Sequence, residues 1–183
     1  MFEKYLIKNC APTLASLKTG SLFNCALCGK CELKENLSEW GGVLYSSGIR
    51  FLVLKEDEKS ALVYVYRAGA LGKILEDARV RSFLKKCGYT DFSTEAVLKK
   101  LKERFSHGGD FPHEIGIFLG YPLGDVIGFI QNSGKNCKCT GCWKVYCDEC
   151  SAKKTFDKFK KCTEVYTRLW SQGRTVLQLT VAA

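Results

Sequence analysis

Two apolar blocks separated by a short polar link stand out in the first half of the chain and predict a β-hairpin. Residues 49–55 and 61–67 are rich in β-branched, leucine and aromatic side chains, which is typical of strands. Residues 56–60, between them, are Glu, Asp, Glu, Lys and Ser. A polar link of this length between two such runs favours an antiparallel pair of strands.

Helical spacing of apolar residues follows the hairpin and returns twice further along the chain. Over residues 70–88 the spacing predicts two short helices or one kinked helix, with Asp77 as the cap of the second. Ser93 is a suitable N-cap for a helix over 94–105, whose apolar stripe lies opposite lysines. The clearest helix spans residues 148–170, where the apolar side chains share one face and most lysines lie elsewhere.

The remaining segments have weaker patterns. We interpret residues 143–146 and 175–181 as strands and residues 24–36, which have no clear period, as a loop. Pro12 suits the first position of a short helix. Because strands and helices are interspersed, we expect an α/β or α+β fold in a single domain spanning residues 1–183, with helices packed on a sheet of about four strands.

Residues 111–132 predict a pair of helices in an αα hairpin that resembles a helix-turn-helix. Gly116 supplies a small residue where two helices would cross, and the turn falls at residues 120–122. Four apolar side chains are expected to be buried in this hairpin: Ile115, Leu119, Val126 and Phe129.

The second helix of this hairpin is poorly suited to reading DNA. Its outward positions carry no Arg or Lys and are Leu123, Gly124, Asp125, Ile127, Gly128, Gln131 and Asn132. A helix in the major groove needs basic residues for phosphates and donors for base edges. We therefore expect no tight, sequence-specific binding to duplex DNA, and a nucleic-acid-binding regulator is only our third hypothesis.

Three segments carry a resemblance to a known family. They are CAPTLA at residues 10–15, FPHEIGIFLGYPLGDVIGFI at residues 111–130 and GCWKVY at residues 141–146. Together they resemble an uncharacterised family, a domain of unknown function seen mainly in anaerobic bacteria, and the resemblance extends over the whole chain. It implies a cytoplasmic protein with reduced cysteines and supplies no catalytic residues. The cysteines at positions 25, 28 and 31 look like an addition to the family's pattern.

Composition and charge exclude some classes of protein and indicate the kind of partner. Of the 183 residues, 46% are hydrophobic and 26% are charged, which excludes a disordered chain. The net charge of +9 weakly favours an anionic small molecule or a protein as partner. The most apolar run, residues 115–130, is too short to span a bilayer and contains Asp125, so we expect no membrane association. The opening residues carry three charges and no apolar run, so we expect a cytoplasmic protein.

Eleven cysteines in a chain expected in the cytoplasm indicate metal, redox or thiol chemistry, because cytosolic thiols are kept reduced. Cys25, Cys28 and Cys31 have the spacing that opens bacterial ferredoxin motifs, although the fourth cysteine of those motifs is missing. A second group comprises Cys137, Cys139, Cys142, Cys147 and Cys150.

The second group is difficult to place around one metal ion. If residues 143–146 are extended, Cys142 and Cys147 lie about 16 Å apart, at about 3.3 Å per residue, too far for a single four-cysteine zinc site. We therefore interpret Cys137, Cys139 and Cys142 as a half-site and hypothesise that they lie near the first triad, where both groups share zinc or an iron–sulfur cluster. Thiols without metal, or cysteines that only pack, are the alternative.

A thiol enzyme is a hypothesis from a different class. Cys10 beside the start of a helix and close to Lys8 would have a lowered pKa, whereas simple burial of this cysteine is the alternative. His113 and Glu114, with Asp110 nearby, are candidates for proton transfer. Adjacent residues of a helix point in different directions, so structural roles for both are the alternative.

Our leading hypothesis is therefore a cysteine-rich binding or redox accessory protein that holds zinc or an iron–sulfur centre through thiolates. The alternatives are a thiol enzyme that uses Cys10 with His113 and the nucleic-acid-binding regulator. The sequence predicts no particular reaction, substrate or partner.

Overall fold

A computed structural model describes residues 2–26, 30–106 and 111–183. In this part of the chain the main sheet has three antiparallel strands in the order β1–β3–β2. They are β1 (Gly20–Ala26), β2 (Ile49–Glu56) and β3 (Ser60–Arg67). The predicted β-hairpin is thus confirmed as β2 and β3.

The central strand β3 has apolar residues on both faces, which explains why the sheet carries two helical layers. Val63 and Val65 face one hydrophobic cluster, and Leu62, Tyr64 and Tyr66 face the other. An apolar run without polar alternation is the pattern of a strand that is covered on both sides. Each face of the sheet must therefore be closed by helices.

The first face is covered by the helices that follow the hairpin. They are α3 (Ala68–Glu76), α4 (Ala78–Lys86), α5 (Thr94–Ser106), α6 (Ile115–Phe118) and α7 (Leu123–Gln131). The two predicted helices after the hairpin are confirmed, with Asp77 accepting a hydrogen bond from the Arg79 backbone N–H as N-cap of α4. The predicted helix over 94–105 is confirmed as α5.

The second face is covered by helices from both ends of the chain. They are α1 (Phe2–Leu14), α2 (Lys30–Val43), α8 (Glu149–Ser171) and α9 (Val176–Leu179). The predicted helix over 148–170 is confirmed as α8, capped by Asp148.

Three predictions of secondary structure, for residues near 12, for residues 24–36 and for residues 175–181, were wrong. Pro12 lies in the last turn of α1 and does not begin a helix, because residues 2–14 already bury a continuous apolar face. Residues 24–36 contain the end of β1 and the start of α2 and are not simply a loop. The strand expected over 175–181 is the short helix α9, where Thr175 and Gln178 form a reciprocal capping box that outweighs the strand-like composition.

The small sheet β4 (Cys139–Thr140) and β5 (Lys144–Val145) is a separate antiparallel pair. The strand predicted over 143–146 is therefore present but shorter. With a three-stranded sheet, a two-stranded pair and helices on both faces, the fold is α+β.

The predicted αα hairpin is confirmed as α6 and α7, joined at residues 119–122. A Cβ atom added to Gly116 would lie 2.7 Å from Val126 Cγ2, so glycine is required where the two helices cross. Ile115, Leu119 and Val126 are buried as expected, whereas Phe129 is only half-buried.

No helix in residues 2–26, 30–106 or 111–183 is long and apolar enough to cross a membrane.

Arg67, at the end of β3, fastens the two ends of the chain to the sheet. Only 5% of it is exposed. Its guanidinium donates to the backbone oxygens of Thr13 and Leu14 at 2.7 and 2.6 Å and to that of Val181 at 2.7 Å. A weaker bond of 3.3 Å reaches the Ser47 oxygen. The oxygens of Thr13 and Leu14 belong to the last turn of α1, where a cation is favoured by the helix dipole.

Replacing Arg67 with Met is expected to lower the free energy of unfolding by about 3 kcal/mol or more, because several buried carbonyls lose charged donors together. Urea unfolding followed by circular dichroism measures the change. Arg79→Met is the control, since the Arg79 side chain is 81% exposed in its ion pair with Asp77, and surface changes of this kind stay within about 0.5 kcal/mol. Equal losses in the two variants would contradict the role given to Arg67.

Candidate functional site

The three segments that carry the family resemblance meet around the β4–β5 hairpin. Residues 10–15 end α1, residues 111–130 build the αα hairpin, and residues 141–146 contain the turn and second strand of the β4–β5 hairpin. Side chains from all three segments line two neighbouring cavities. Segments that are more than a hundred residues apart in sequence therefore form one region.

Asp125 of α7 holds the β4–β5 hairpin in place. Its carboxylate accepts hydrogen bonds from Trp143 Nε1 and from the backbone N–H groups of Tyr146 and Cys147, each at 2.8 Å. The residue is only 3% exposed. The sequence interpretation placed Asp125 on the outward side of this helix, and that was wrong because the β4–β5 hairpin covers that side.

Gly128, also expected to face outward, lets the β4–β5 hairpin lie against α7. A Cβ atom at this position would come within 2.6 Å of the Tyr146 side chain. The Tyr146 hydroxyl donates to the Lys135 backbone oxygen at 3.0 Å. Close contact through a glycine and bonds from Asp125 together fix the orientation of β5.

Three aromatic rings link the αα hairpin, the β4–β5 hairpin and α8. Tyr121 stacks on Trp143 with ring centroids 4.9 Å apart, and Trp143 meets Phe156 edge-on at 4.5 Å. The Tyr121 hydroxyl donates to the backbone oxygen of Cys142 at 3.1 Å. Such ring pairs add to the stability gained by simple burial, so the tip of the β4–β5 hairpin is held from both sides.

A cavity of about 340 Å³ lies between the αα hairpin and the β4–β5 hairpin, and we call it the hairpin pocket. Its aromatic lining consists of Phe111, His113, Tyr121, Phe129 and Trp143. Its volume and apolar walls fall within the range of small-molecule sites.

The polar groups of the hairpin pocket are few and include the ammonium of Lys144 and the carboxylate of Asp125. The carboxylate of Asp125 is already occupied by three donors. Lys144 Nζ lies 5.9 Å from the centre of the Phe129 ring and donates one hydrogen bond, to the Gly134 oxygen at 2.7 Å, which leaves two of its three donors for a ligand. His113 is exposed and lies against the Phe129 ring at 4.9 Å.

The structure does not bring the predicted catalytic residues together. Cys10 is buried in the cluster on one face of the sheet, while His113 packs beside Phe129 of α7 on the other side. Glu114 is buried, pairs with Arg104 and accepts a hydrogen bond from the Tyr89 hydroxyl at 3.2 Å. These contacts give Glu114 a structural role. Asp110 lies outside the described residues.

The environment of Cys10 fits the alternative of simple burial and not that of an activated thiol. The residue lies in the second half of α1, away from the positive end of the helix. Burial raises the pKa of its thiol from 9.0 to about 12, although Lys18 and Ser21 lower it to a smaller extent. The alternative interpretation of a buried packing cysteine describes this site better than an activated nucleophile.

The structure describes only some side chains of the two cysteine triads. Cys25 is buried in β1 within the cluster of the second face, whereas Cys28 and the side chain of Cys31 lie outside the described residues. Cys137 contacts the Thr140 hydroxyl at 3.5 Å, and Cys142 lies at the tip of the β4–β5 hairpin. The proposed proximity of the triads stays a prediction.

The second cysteine group folds back on itself. Cys139 pairs with Val145 across the β4–β5 hairpin, and Glu149, with smaller contributions from Cys139 and Cys150, raises the pKa of Lys153. The sequence argument considered only the separation of Cys142 and Cys147 along a strand and did not consider that the hairpin brings Cys139 back opposite Val145. Within the described ranges no three His, Cys, Asp or Glu side chains are arranged to hold a metal ion.

The fold and site define an α+β protein in which an antiparallel sheet lies between helical layers and a short β4–β5 hairpin borders two cavities. Residues 6–180 match the model of the family described as "Protein of unknown function (DUF3793)". The chain therefore belongs to this family, and the resemblance found in the sequence is confirmed. No curated protein and no solved structure gives a match to the chain.

Asp125→Ala is expected to loosen the β4–β5 hairpin, because three donors lose their acceptor and each unsatisfied buried group costs about 1–3 kcal/mol. Hydrogen exchange followed by mass spectrometry should detect faster exchange at Tyr146 and Cys147. Asp125→Asn should keep those two amides protected, since both bond to one oxygen, and should affect Trp143 alone. Asp157→Ala, on the exposed side of α8, is the control. Unchanged exchange in Asp125→Ala would refute the role of the carboxylate.

Cys10 is expected to resist iodoacetamide at about pH 8, because its raised pKa keeps the thiol neutral, while the exposed Cys150 reacts. Peptide mass spectrometry gives the two rates. The unfolded chain releases the Cys10 proton near pH 9 and the folded chain retains it up to about pH 12. The neutral Cys10 thiol therefore contributes fully to the free energy of unfolding below pH 9, and this contribution decreases between pH 9 and pH 12. In Cys10→Ala, the free energy of unfolding should decrease less over the same pH range. Rapid alkylation of folded Cys10 would contradict this assignment.

Proposed function

We propose that this protein is a binding protein for a small, largely apolar molecule that carries an anionic group and enters the hairpin pocket. The observation that carries the proposal is the aromatic lining of a 340 Å³ cavity with Lys144 at its wall. Pockets of this size with few polar groups are the usual form of small-molecule sites. The proposal keeps the binding function and the anionic partner expected from the sequence.

The arrangement of charge supports an anionic ligand. Lys144 has donors left over, whereas three N–H groups already occupy most of the acceptor sites of Asp125. Aromatic walls favour a flat apolar body, and the ammonium favours a carboxylate, sulfonate or phosphate at one end.

The packing of α7 argues against the nucleic-acid-binding alternative. Asp125 and Gly128 would have to face a major groove, yet they are buried against β5. A recognition helix must expose that side to base edges. The expectation of no sequence-specific duplex binding is therefore supported by a second argument.

A thiolate metal site is the second candidate function, and one observation favours it. Cys139 and Cys150, from different Cys-x2-Cys pairs, both raise the pKa of the Lys153 ammonium, after the larger effect of Glu149. Zinc or an iron–sulfur centre bound there would protect these cysteines from iodoacetamide in anaerobically purified protein, and a chelator would remove zinc protection. Metal and sulfide analysis of the same sample distinguishes the two centres.

Binding to the hairpin pocket can be tested with two fluorescent probes that differ mainly in charge. 8-Anilinonaphthalene-1-sulfonate carries a sulfonate, and N-phenyl-1-naphthylamine has a similar aromatic body without one. Lys144→Met keeps the apolar stem and removes the charge. It should weaken binding of the sulfonate about tenfold and leave the neutral probe nearly unchanged. Phe111→Ala should weaken both probes, because it removes part of the apolar wall.

Two controls show whether the probes occupy this pocket. Lys135→Met removes an exposed lysine of the adjoining turn, and Tyr45→Ala removes an aromatic ring that is 62% exposed elsewhere. Neither should change the affinity for either probe. If Lys144→Met and Phe111→Ala bind both probes as tightly as the unaltered protein, the hairpin pocket is not the binding site and the proposal fails.

A further inference from the structure

A second cavity, on the other side of the β4–β5 hairpin tip, contains a lysine in an unusual setting. It has a volume of about 370 Å³, and we call it the Lys18 pocket. Its lining from the first part of the chain is Asn9, Pro12, Lys18 and Ser21, and the rest is Cys142, Phe156, Phe159, Lys160, Thr163 and Glu164. Trp143 separates it from the hairpin pocket, because its ring lies between Tyr121 and Phe156.

Lys18 lies between two aromatic rings and has no acid against it. Its Nζ is 5.3 Å from the centre of the Tyr121 ring and 6.0 Å from that of Phe159. Among the described residues no carboxylate lies within 4 Å of this ammonium. Aromatic faces attract a cation only weakly, so the amine keeps its capacity to react with or bind a ligand.

Partial burial of Lys18 changes the protonation of this amine. It lowers the pKa of the Lys18 ammonium below its ordinary value, against smaller raising effects from Cys142 and Cys10. A larger share of Lys18 is therefore neutral near pH 7 than of a lysine in water. Lysines desolvated in apolar pockets are the ones that attack carbonyl compounds.

We infer that Lys18 is a carbonyl-reactive amine and that the Lys18 pocket takes a small aldehyde or ketone carrying an anionic group. The neutral amine forms a bond from its nitrogen to the carbonyl carbon and gives a carbinolamine. The carbonyl oxygen then leaves as water together with both amine hydrogens, and a C=N bond remains. The step needs no oxidant or reductant, and hydrolysis of the imine reverses it.

Lys160 accounts for the anionic group of the ligand. Two lysines line the pocket against one acid, Glu164, so the charge of the lining is positive while Lys18 is protonated and balanced once Lys18 is neutral or an imine. The Lys160 ammonium is exposed at the rim and can pair with a carboxylate or phosphate of a ligand whose carbonyl reaches Lys18. The chemical class is therefore a short oxo acid or a phosphorylated aldehyde.

Reductive trapping with two small aldehydes tests this inference. Glyoxylate is an aldehyde with a carboxylate, and formaldehyde is a neutral one. The folded protein is treated with limiting aldehyde and sodium cyanoborohydride near pH 7, and peptide mass spectrometry ranks the modified lysines. Lys18 should be modified severalfold faster than the exposed Lys158 by both reagents.

Variants separate the reactive amine from the anion-binding lysine. Lys160→Met should slow modification of Lys18 by glyoxylate severalfold and leave formaldehyde unaffected, while the control Lys158→Met changes neither. If Lys18 reacts no faster than Lys158 with either aldehyde, it is not a reactive amine and the inference is wrong. If Lys160→Met does not change the rate at which glyoxylate modifies Lys18, the assigned ligand class is wrong. Both measurements are independent of probe binding in the hairpin pocket.

Discussion

The buried guanidinium of Arg67 is the interaction on which the arrangement of the chain ends depends. It lies at the end of the central strand and bonds to carbonyls of α1, of the loop before β2 and of the last residues of the chain. An arginine suits this position because its fixed fork of donors reaches several oxygens at once. With α1 held at this point, the loop after it places Lys18 beside the β4–β5 hairpin.

The β4–β5 hairpin is too short to be stable alone, and its position is imposed by its neighbours. Asp125 binds its second strand, Gly128 allows close approach, and the stack of Tyr121, Trp143 and Phe156 holds its tip. The same Trp143 ring separates the hairpin pocket from the Lys18 pocket. One small structural unit therefore shapes two cavities with different chemistry, one mainly aromatic and one with a half-buried amine.

The sequence predicted correctly the helices and strands that have a sustained apolar pattern or a clear cap. The β2–β3 hairpin, α5 and α8 follow directly from apolar spacing and caps, and Gly116 was assigned to the helix crossing for the correct steric reason. Errors arose where two local signals competed. Pro12 was taken to begin a helix although the apolar spacing before it continues through residues 2–14, and 175–181 was taken as a strand although Thr175 and Gln178 can cap a helix.

The sequence by itself determined that helices are combined with a sheet, the family, and the helices and strands that cover most of the chain, because periodicity and capping act over a few residues. Only the tertiary structure decided the site. Whether Asp125 faces water or a partner depends on a hairpin that follows it along the chain, and the surroundings of Cys10 and Lys18 depend on which elements pack over them. Contacts between distant segments determine how far a side chain is buried and how its pKa shifts. A pattern of neighbouring residues does not predict those contacts.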